Sequence, residues 1–98
     1  MADAPLPDLI LYSRAGCHLC DETRDLLNAL LDERGRHGLP RPTLNEIDIE
    51  SDPDLERQFL TTIPVVELAG RRVELATSAA KLRRLLSDVL DGSAATTA

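Results

Sequence analysis

The chain has 98 residues, enough for one domain, and carries a net charge of −6. Hydrophobic residues make up 43% of it but aromatic residues only 2%, so a single modest core must be built from Leu, Ile, Val and Ala. The negative charge argues against a nucleic-acid partner, and no apolar run approaches the roughly 20 residues that a membrane span requires. We predict one domain over residues 1–98, with an ordered core at about 8–90 between a loose arm (1–7) and a loose tail (91–98).

The first predicted strand is the apolar run 9–12, which ends at the loop 13–16. A continuous apolar run of this length is typical of a strand that is buried on both faces. A helical pattern follows, and Gly35 and Gly38 are expected to end it. The helix places these residues on one face: Cys20, Thr23, Leu26, Leu27, Leu30, Leu31 and Arg34.

The second predicted strand covers residues 44–49, where Ile47 and Ile49 share one face. Asp52 and Pro53 then favour the start of a short helix, because Asp is a good N-cap and Pro fits the first turn. The apolar side of this helix is formed by Leu55, Phe59 and Leu60.

A hairpin precedes the last helix, with residues 64–68 and 72–75 as its arms and 69–71 as its turn. Thr77 and Ser78 offer a cap for the helix, and Gly92 is expected to end it. Its apolar stripe is Leu82, Leu85, Leu86, Val89 and Leu90. The order βαβαββα predicts an α/β fold in which a right-handed crossover joins two parallel strands and the hairpin adds antiparallel ones. The result is a four-stranded mixed sheet with helices on both faces.

The only two cysteines, Cys17 and Cys20, form a Cys-x-x-Cys box where the first helix begins. The start of the chain lacks the basic and apolar regions of a secretory signal, so we expect a reducing cytoplasmic location. In that compartment the pair is expected to cycle between dithiol and disulfide. A bridge that closes about four residues removes only ~2 kcal/mol of chain entropy, which makes it a weak structural staple.

The position of each cysteine predicts its role. The thiolate attacks a disulfide, and at an ordinary pKa of about 8.5 only ~3% of a cysteine is ionised at pH 7. Cys17 lies at the helix cap, where backbone N–H groups and the helix dipole stabilise a negative charge. We therefore predict that Cys17 is the nucleophile and that Cys20, one turn inside and more covered, is the resolving cysteine.

Charged neighbours are expected to tune the nucleophile. Arg14 and His18 add positive potential, whereas Asp21 and Glu22 favour the helix start but oppose a nearby thiolate. Two simpler interpretations stay open: Arg14 as a solvated loop charge and, as the favoured one, His18 as a surface residue.

Two segments, Cys17-His18-Leu19-Cys20 within residues 11–22 and Thr62-Ile63-Pro64-Val65, together with the element order, resemble the glutaredoxins of the thioredoxin-fold superfamily. The resemblance is greatest to the small glutaredoxin-like proteins of bacteria and spans residues 9–89. It implies a thioredoxin fold and a cis Ile63–Pro64 bond packed against the cysteine box. The peptide groups of Ile63 would then be candidates to pair with an extended substrate. The alternative is a trans proline that merely starts a strand.

The chain also departs from the family pattern. Gly16 stands where thioredoxins carry a Trp, and residues 73–78 lack the Gly-Gly pair and acidic residues with which glutaredoxins hold the γ-glutamyl end of glutathione. Thr77 and Ser78 are candidate ligand contacts as well as a helix cap. No tightly bound cofactor is expected, and glutathione is a candidate co-substrate.

The leading functional hypothesis is a monomeric thiol–disulfide oxidoreductase that reduces protein or glutathione mixed disulfides, with an unknown electron donor. A second class is zinc or iron–sulfur binding through Cys17 and Cys20 in a dimer, because zinc needs four ligands and one chain supplies two here. His18 and His37 do not readily complete such a site, so no metal site within one chain is predicted. A third class is a binding module that has the fold without turnover.

Overall fold

A four-stranded mixed sheet in the order β2-β1-β3-β4 forms the centre of the molecule. This computed structural model describes residues 6–91. The strands are β1 (Leu9–Ser13), β2 (Leu44–Asp48), β3 (Val65–Leu68) and β4 (Arg71–Val73). β1 is parallel to β2 and antiparallel to β3, and β3 is antiparallel to β4. The predicted mixed sheet is therefore confirmed, and it has the topology that the resemblance to the thioredoxin fold implies.

Three α-helices connect and cover the strands. They are α1 (His18–Arg36), α2 (Pro53–Phe59) and α3 (Ala79–Leu86). A 3₁₀ turn (Ile49–Ser51) precedes α2, and a π-helical turn (Ser87–Asp91) follows α3. The element order matches the prediction, apart from these two extra turns.

The larger core lies between the sheet and the face of α1 and α3. It contains the buried side chains Leu9, Leu11, Leu27, Leu30, Leu31, Val66, Leu68, Ala76, Leu82, Leu85 and Leu86. The other face of the sheet carries a smaller cluster of Ile49, Phe59 and Val65, against which Tyr12 packs. The Tyr12 and Phe59 rings stack with their centroids 4.5 Å apart. Aliphatic packing thus dominates the core, as the composition predicts.

The prediction that β1 is buried on both faces is wrong for one face. Leu9, Leu11 and Ser13 are buried, but Ile10 and Tyr12 are only half-buried. The reason is that α2 has only seven residues, so the smaller cluster leaves part of that face open to solvent.

Several predicted element boundaries also differ, most by one residue and three with a structural reason. β2 ends at Asp48 because its carboxylate accepts a hydrogen bond from the Glu50 backbone and starts the 3₁₀ turn, so Ile49 leaves the strand. α2 ends at Phe59, and the predicted apolar contact of Leu60 is absent because that side chain is exposed. β4 ends at Val73, because Leu75 turns away with φ 49° and bonds to the Thr62 carbonyl.

The turn residues and caps were predicted more closely. The hairpin turn lies within the predicted residues 69–71 but is one residue shorter, because Ala69 and Gly70 both have positive φ (52° and 81°), as in a two-residue type I′ turn, and Arg71 already belongs to β4. α1 ends at Arg36, between the two glycines expected to stop it. Ser78 is the N-cap of α3. The predicted stop at Gly92, like most of the predicted arm and tail, lies outside the described residues.

Candidate redox site

The cysteine box and Pro64 lie at the same edge of the sheet. Cys17 follows the carboxyl end of β1, and Pro64 precedes the amino end of β3. Because the two strands are antiparallel and Tyr12 lies opposite Val65, these ends meet. The topology therefore brings together the two segments that the sequence singled out.

A tight loop leads from β1 into α1. The Cys17 N–H donates to the Arg14 carbonyl at 3.3 Å, and Gly16 takes a positive φ of 76° that other residues adopt only at a cost. Cys17 is the N-cap of α1, with extended backbone angles (φ −92°, ψ 102°). Its Sγ accepts a hydrogen bond from the Cys20 backbone N–H at 3.1 Å. The sulfur thus takes the place that a Ser or Asp oxygen occupies in most helix caps.

A disulfide joins Cys17 and Cys20, whose Cα atoms are 5.2 Å apart. Cys20 is fully buried, at 0% exposure, whereas Cys17 is partly exposed. Of the two residues, only Cys17 is in contact with solvent. The predicted difference in burial is present, and the chemical roles assigned to the two residues stay predictions.

A chain of hydrogen bonds connects α1 to the start of β3. The buried Thr23 hydroxyl, one turn beyond Cys20, donates to the Ala76 carbonyl at 2.9 Å. The Ala76 N–H donates to the carbonyl of the buried Pro64 at 2.8 Å, and the Ile63–Pro64 peptide bond is cis, the isomer that the resemblance implies. The segment that contains Ala76 therefore fixes the start of α1 relative to Pro64.

The backbone N–H of Ile63 is not available for the predicted pairing with an extended substrate. The Ile63 N–H already donates to the Phe59 carbonyl at 3.1 Å, and the Thr62 carbonyl accepts from Leu75. An extended substrate at this position would find the Ile63 carbonyl but not a free N–H. Leu75 itself is 57% exposed.

Thr77 and Ser78 were also predicted to contact a ligand, and in the structure Ser78 bonds to the first turn of α3. Its hydroxyl accepts from the Lys81 N–H at 3.2 Å and caps α3. Thr77 is exposed, and its N–H donates to the Leu75 carbonyl. The cap is therefore observed, and contact with a ligand stays a prediction for both.

The predicted tuning residues each have an acidic partner. Arg14 lies 3.6 Å from Glu50, and both side chains are about 40% exposed. His18 Nε2 lies 3.1 Å from Glu22, but the His18 side chain is 85% exposed. Both residues flank the cysteine box from the solvent side, so the surface interpretation of His18 is consistent with its position.

A network of charged side chains around Arg24 was not predicted from the sequence. The Arg24 guanidinium holds the Glu46 carboxylate through two hydrogen bonds of 2.6 Å and also donates to Asp21 at 3.1 Å. Hydrogen bonds from Arg24, the largest effect, and from Ser13 hold the pKa of Glu46 below its ordinary value, against the opposing effect of burial. The same contacts raise the pKa of Arg24. Both charges are therefore fixed at neutral pH.

The comparisons with known proteins agree with this geometry. The family model described as "Glutaredoxin-like domain (DUF836)" matches residues 8–90. The chain belongs to the glutaredoxin-like domain family. The search of curated proteins found no match.

Solved structures show the same fold for this glutaredoxin-like domain. The X-ray structure of protein XcR50 from X. campestris is 29% identical, with a TM-score of 0.65 over 81% of this chain and 95% of that one. The solution NMR structure of Ne2328 from Nitrosomonas europaea is 20% identical, with a TM-score of 0.66 over 87% of this chain and 96% of that one. The latter similarity shows the fold alone.

Two broader features of the glutaredoxin-like domain concern metals and membranes. Within residues 6–91, no three side chains of His, Cys, Asp or Glu are placed to hold a metal ion together. A zinc ion or a cluster would need further ligands, for example from a second chain. None of the helices in the same described part is both long and apolar enough to span a membrane.

Proposed function

We propose that this glutaredoxin-like domain is a thiol–disulfide oxidoreductase that uses a dithiol mechanism, with Cys17 as nucleophile and Cys20 as resolving cysteine. One observation carries the proposal: Cys17, a partly exposed residue, is the helix cap and its sulfur accepts a hydrogen bond from the Cys20 N–H at 3.1 Å, while Cys20 is fully buried. A substrate can reach one sulfur, and the second lies within bonding reach of the first.

In the first step the Cys17 thiolate attacks one sulfur of a substrate disulfide. A bond forms between Cys17 and that sulfur, the substrate S–S bond breaks, and the other substrate sulfur leaves as a thiolate that takes a proton from water. In the second step Cys20 gives its proton to solvent and attacks the Cys17 sulfur. The Cys17–Cys20 disulfide forms, and the second substrate sulfur leaves as a thiolate. Two electrons pass to the substrate, and an external dithiol or two thiol molecules must return them.

The backbone at the helix cap favours the reactive form of Cys17. Lowering a thiol pKa from about 8.5 to about 7 needs ~2 kcal/mol and raises the thiolate fraction at pH 7 from a few per cent to about half. The helix N-terminus contributes in this direction, because its N–H groups and dipole favour a negative charge. The Cys20 N–H already points at the Cys17 sulfur in the disulfide form.

The surface around the disulfide suits a polypeptide substrate. Leu19, between the two cysteines, is 48% exposed, and Leu75, next to the residue that bonds Pro64, is also exposed. Apolar side chains in these positions offer contact area to the residues that flank a cysteine in a protein. Glutathione carries no apolar side chain to use them, and it remains a candidate as the thiol that returns electrons.

The mechanism is complete within one chain, so a monomer suffices. The cytoplasm, where thiols are kept reduced, is the compartment we expect for it.

The test compares two electron donors on a protein mixed disulfide. One assay uses glutathione with its reductase, and the other uses a thioredoxin reductase. We expect the wild type to turn over with at least one donor and Cys17→Ser to fall to the uncatalysed rate. Cys20→Ser should accumulate a covalent adduct between Cys17 and the substrate, detected by mass spectrometry.

Three outcomes would contradict the proposal. Turnover by Cys17→Ser would show that Cys17 is not the nucleophile. A wild type that is inactive with both donors would support the binding module, and a coloured, iron-containing dimer inactive with both donors would support the cluster protein.

A further inference from the structure

Arg24 lies at the centre of a network that joins α1, β2 and the end of β1, beside the loop that leads into the cysteine box. Its Nε and Nη2 atoms each lie 2.6 Å from an oxygen of Glu46 on β2. One of these Glu46 oxygens also accepts from the hydroxyl of Ser13, a buried residue at the end of β1, at 2.6 Å. The remaining Arg24 nitrogen, Nη1, donates to Asp21 at 3.1 Å. Arg24 therefore ties α1 to β2 and, through Glu46, to the strand end that leads into the cysteine box.

The spacing along α1 places Asp21 close to the nucleophile. Cys17, Asp21 and Arg24 follow each other at steps of four and three residues, so they lie along one face of the helix. The Asp21 N–H donates to the Cys17 carbonyl at 3.1 Å. A carboxylate in a first helical turn is attracted to the same N–H groups and dipole that would stabilise a Cys17 thiolate. Asp21 and the thiolate are thus competitors for one region of positive potential.

Arg24 is placed to weaken this competition, because it binds the Asp21 carboxylate. Its Nη1 lies 3.1 Å from the Asp21 carboxylate, so Asp21 is paired with a cation that belongs to a residue three positions further from the cap. The bidentate contact with Glu46 fixes the guanidinium itself, as a planar fork can and a lysine ammonium cannot. The network therefore fixes the Asp21 carboxylate in place in addition to balancing its charge.

The other charged groups around the cap are paired without involving Arg24. Arg14 faces Glu50 from the 3₁₀ turn, and His18 faces Glu22. Asp48 of β2 accepts from the Glu50 N–H. Glu74, which follows β4 and precedes Leu75, is exposed and adds a further negative charge. Carboxylates predominate in this set, so a cation that restrains one of them affects the potential at Cys17.

We propose that Arg24 is a positioning residue that holds Asp21 away from the helix cap and so favours the thiolate form of Cys17. The inference rests on the proposed function, in which Cys17 is the attacking sulfur. It adds a residue that the sequence pattern did not single out and that does not touch the reacting atoms.

The test is the pH dependence of Cys17 alkylation in the reduced full-length chain, read by mass spectrometry on the peptide that contains Cys17. We expect Arg24→Gln to raise the midpoint by about half a pH unit, which from a wild-type midpoint near pH 7 leaves about half as much thiolate at pH 7. Arg24→Lys restores the positive charge near Asp21 but not the bidentate contact with Glu46, so it should recover less than half of that shift, and full recovery would contradict the positioning role. In an Asp21→Asn background, Arg24→Gln should shift the midpoint by less than half as much, because the carboxylate that Arg24 restrains is gone.

The Asp21 side chain is exposed and lies near the helix start, so we expect the Asp21→Asn variant to fold. The variant keeps the inference testable even if an Arg24 substitution prevents folding. A midpoint unchanged in Arg24→Gln, or a shift that is equally large in the Asp21→Asn background, would overturn the inference. The readout needs no disulfide substrate. A failure of turnover would therefore count against the proposed function alone, whereas an unshifted midpoint would count against Arg24 alone.

Discussion

The two ends of α1 use arginine in opposite ways. At the amino end Arg24 is partly exposed and binds two carboxylates beside the redox disulfide. At the carboxyl end the Arg34 side chain is only 8% exposed, donates to the Pro40 carbonyl at 2.6 Å and forms a close ion pair with Asp91 of the π-helical turn.

The two ends of α1 therefore have different roles in this account: the amino end affects the ionisation of Cys17, and the carboxyl end stabilises the fold. Two basic residues in the last turn, Arg34 and Arg36, suit the negative end of the helix dipole, and of the two only Arg34 is buried. The positive end attracts anions, and under the proposed function it stabilises the thiolate of Cys17, which needs contact with solvent. We therefore expect substitution of the buried Arg34 to reduce the free energy of unfolding without changing cysteine reactivity, whereas substitutions in the Arg24 network should also change cysteine reactivity.

The largest effect on stability is expected for Arg34→Met. The substitution removes a nearly buried cation together with its hydrogen bonds to Pro40 and Asp91, and should lower the free energy of unfolding by about 2–3 kcal/mol in urea titrations. The matched control is Arg36→Met, in the same turn but exposed, which should change it by less than about 0.5 kcal/mol. Equal losses for the two variants would remove the contrast between a buried and a surface arginine.

Thr23→Val tests the hydrogen bond that connects the amino half of α1 to Ala76. The two side chains have nearly the same shape, but valine leaves the buried Ala76 carbonyl without this donor, so we expect a loss of about 1–2 kcal/mol. Thr61→Val, at an exposed position, is the control and should be close to neutral. If thermal and urea unfolding of Thr23→Val match the wild type, the link does not contribute to the fold.

Glu46→Gln tests the amino-end network through its pH dependence. The pKa of Glu46 in the folded protein lies below its ordinary value of about 4.5, mainly because of the hydrogen bonds from Arg24. A lowered pKa means that the stabilisation is fully present above about pH 4.5 and is lost as the pH falls through the folded-state value. We expect Glu46→Gln to cost about 1 kcal/mol at pH 7, and less at pH 3.5. A cost that is the same at both pH values would show that the Glu46 charge does not contribute.

The smallest effect is expected for the exposed pair of Asp32 and Arg41, 2.9 Å apart near the carboxyl end of α1. Each side chain is more than half exposed, so Asp32→Asn should change the free energy of unfolding by at most about 0.5 kcal/mol. A loss comparable to that of Arg34→Met would mean that burial is not what distinguishes the pairs.

Local sequence signals predicted most of the fold and the centre of the site. The apolar periodicity of α1, the Asp52-Pro53 helix start and the Ser78 cap all depend on interactions within a few residues, and all three are present. The position of Cys17 at the helix cap was predictable for the same reason.

Contacts between elements distant in sequence were not predicted. Arg24 and Glu46 lie 22 residues apart, and nothing in either local pattern selects one partner among the many charged residues. Thr23 was assigned to the buried face, but its bond to Ala76 depends on where the last loop crosses the helix. The restriction at Ile63 likewise depends on the way the chain turns after α2.

The account depends most directly on the ionisation of the sulfur at the amino end of α1. The measurement is the pH profile of alkylation for each cysteine of the reduced wild-type protein, resolved by mass spectrometry. We expect Cys17 to react first, with a midpoint near pH 7, while the buried Cys20 stays unmodified. A Cys17 midpoint at or above about 8.5, the ordinary value for a free cysteine, or faster reaction at Cys20, would contradict the account.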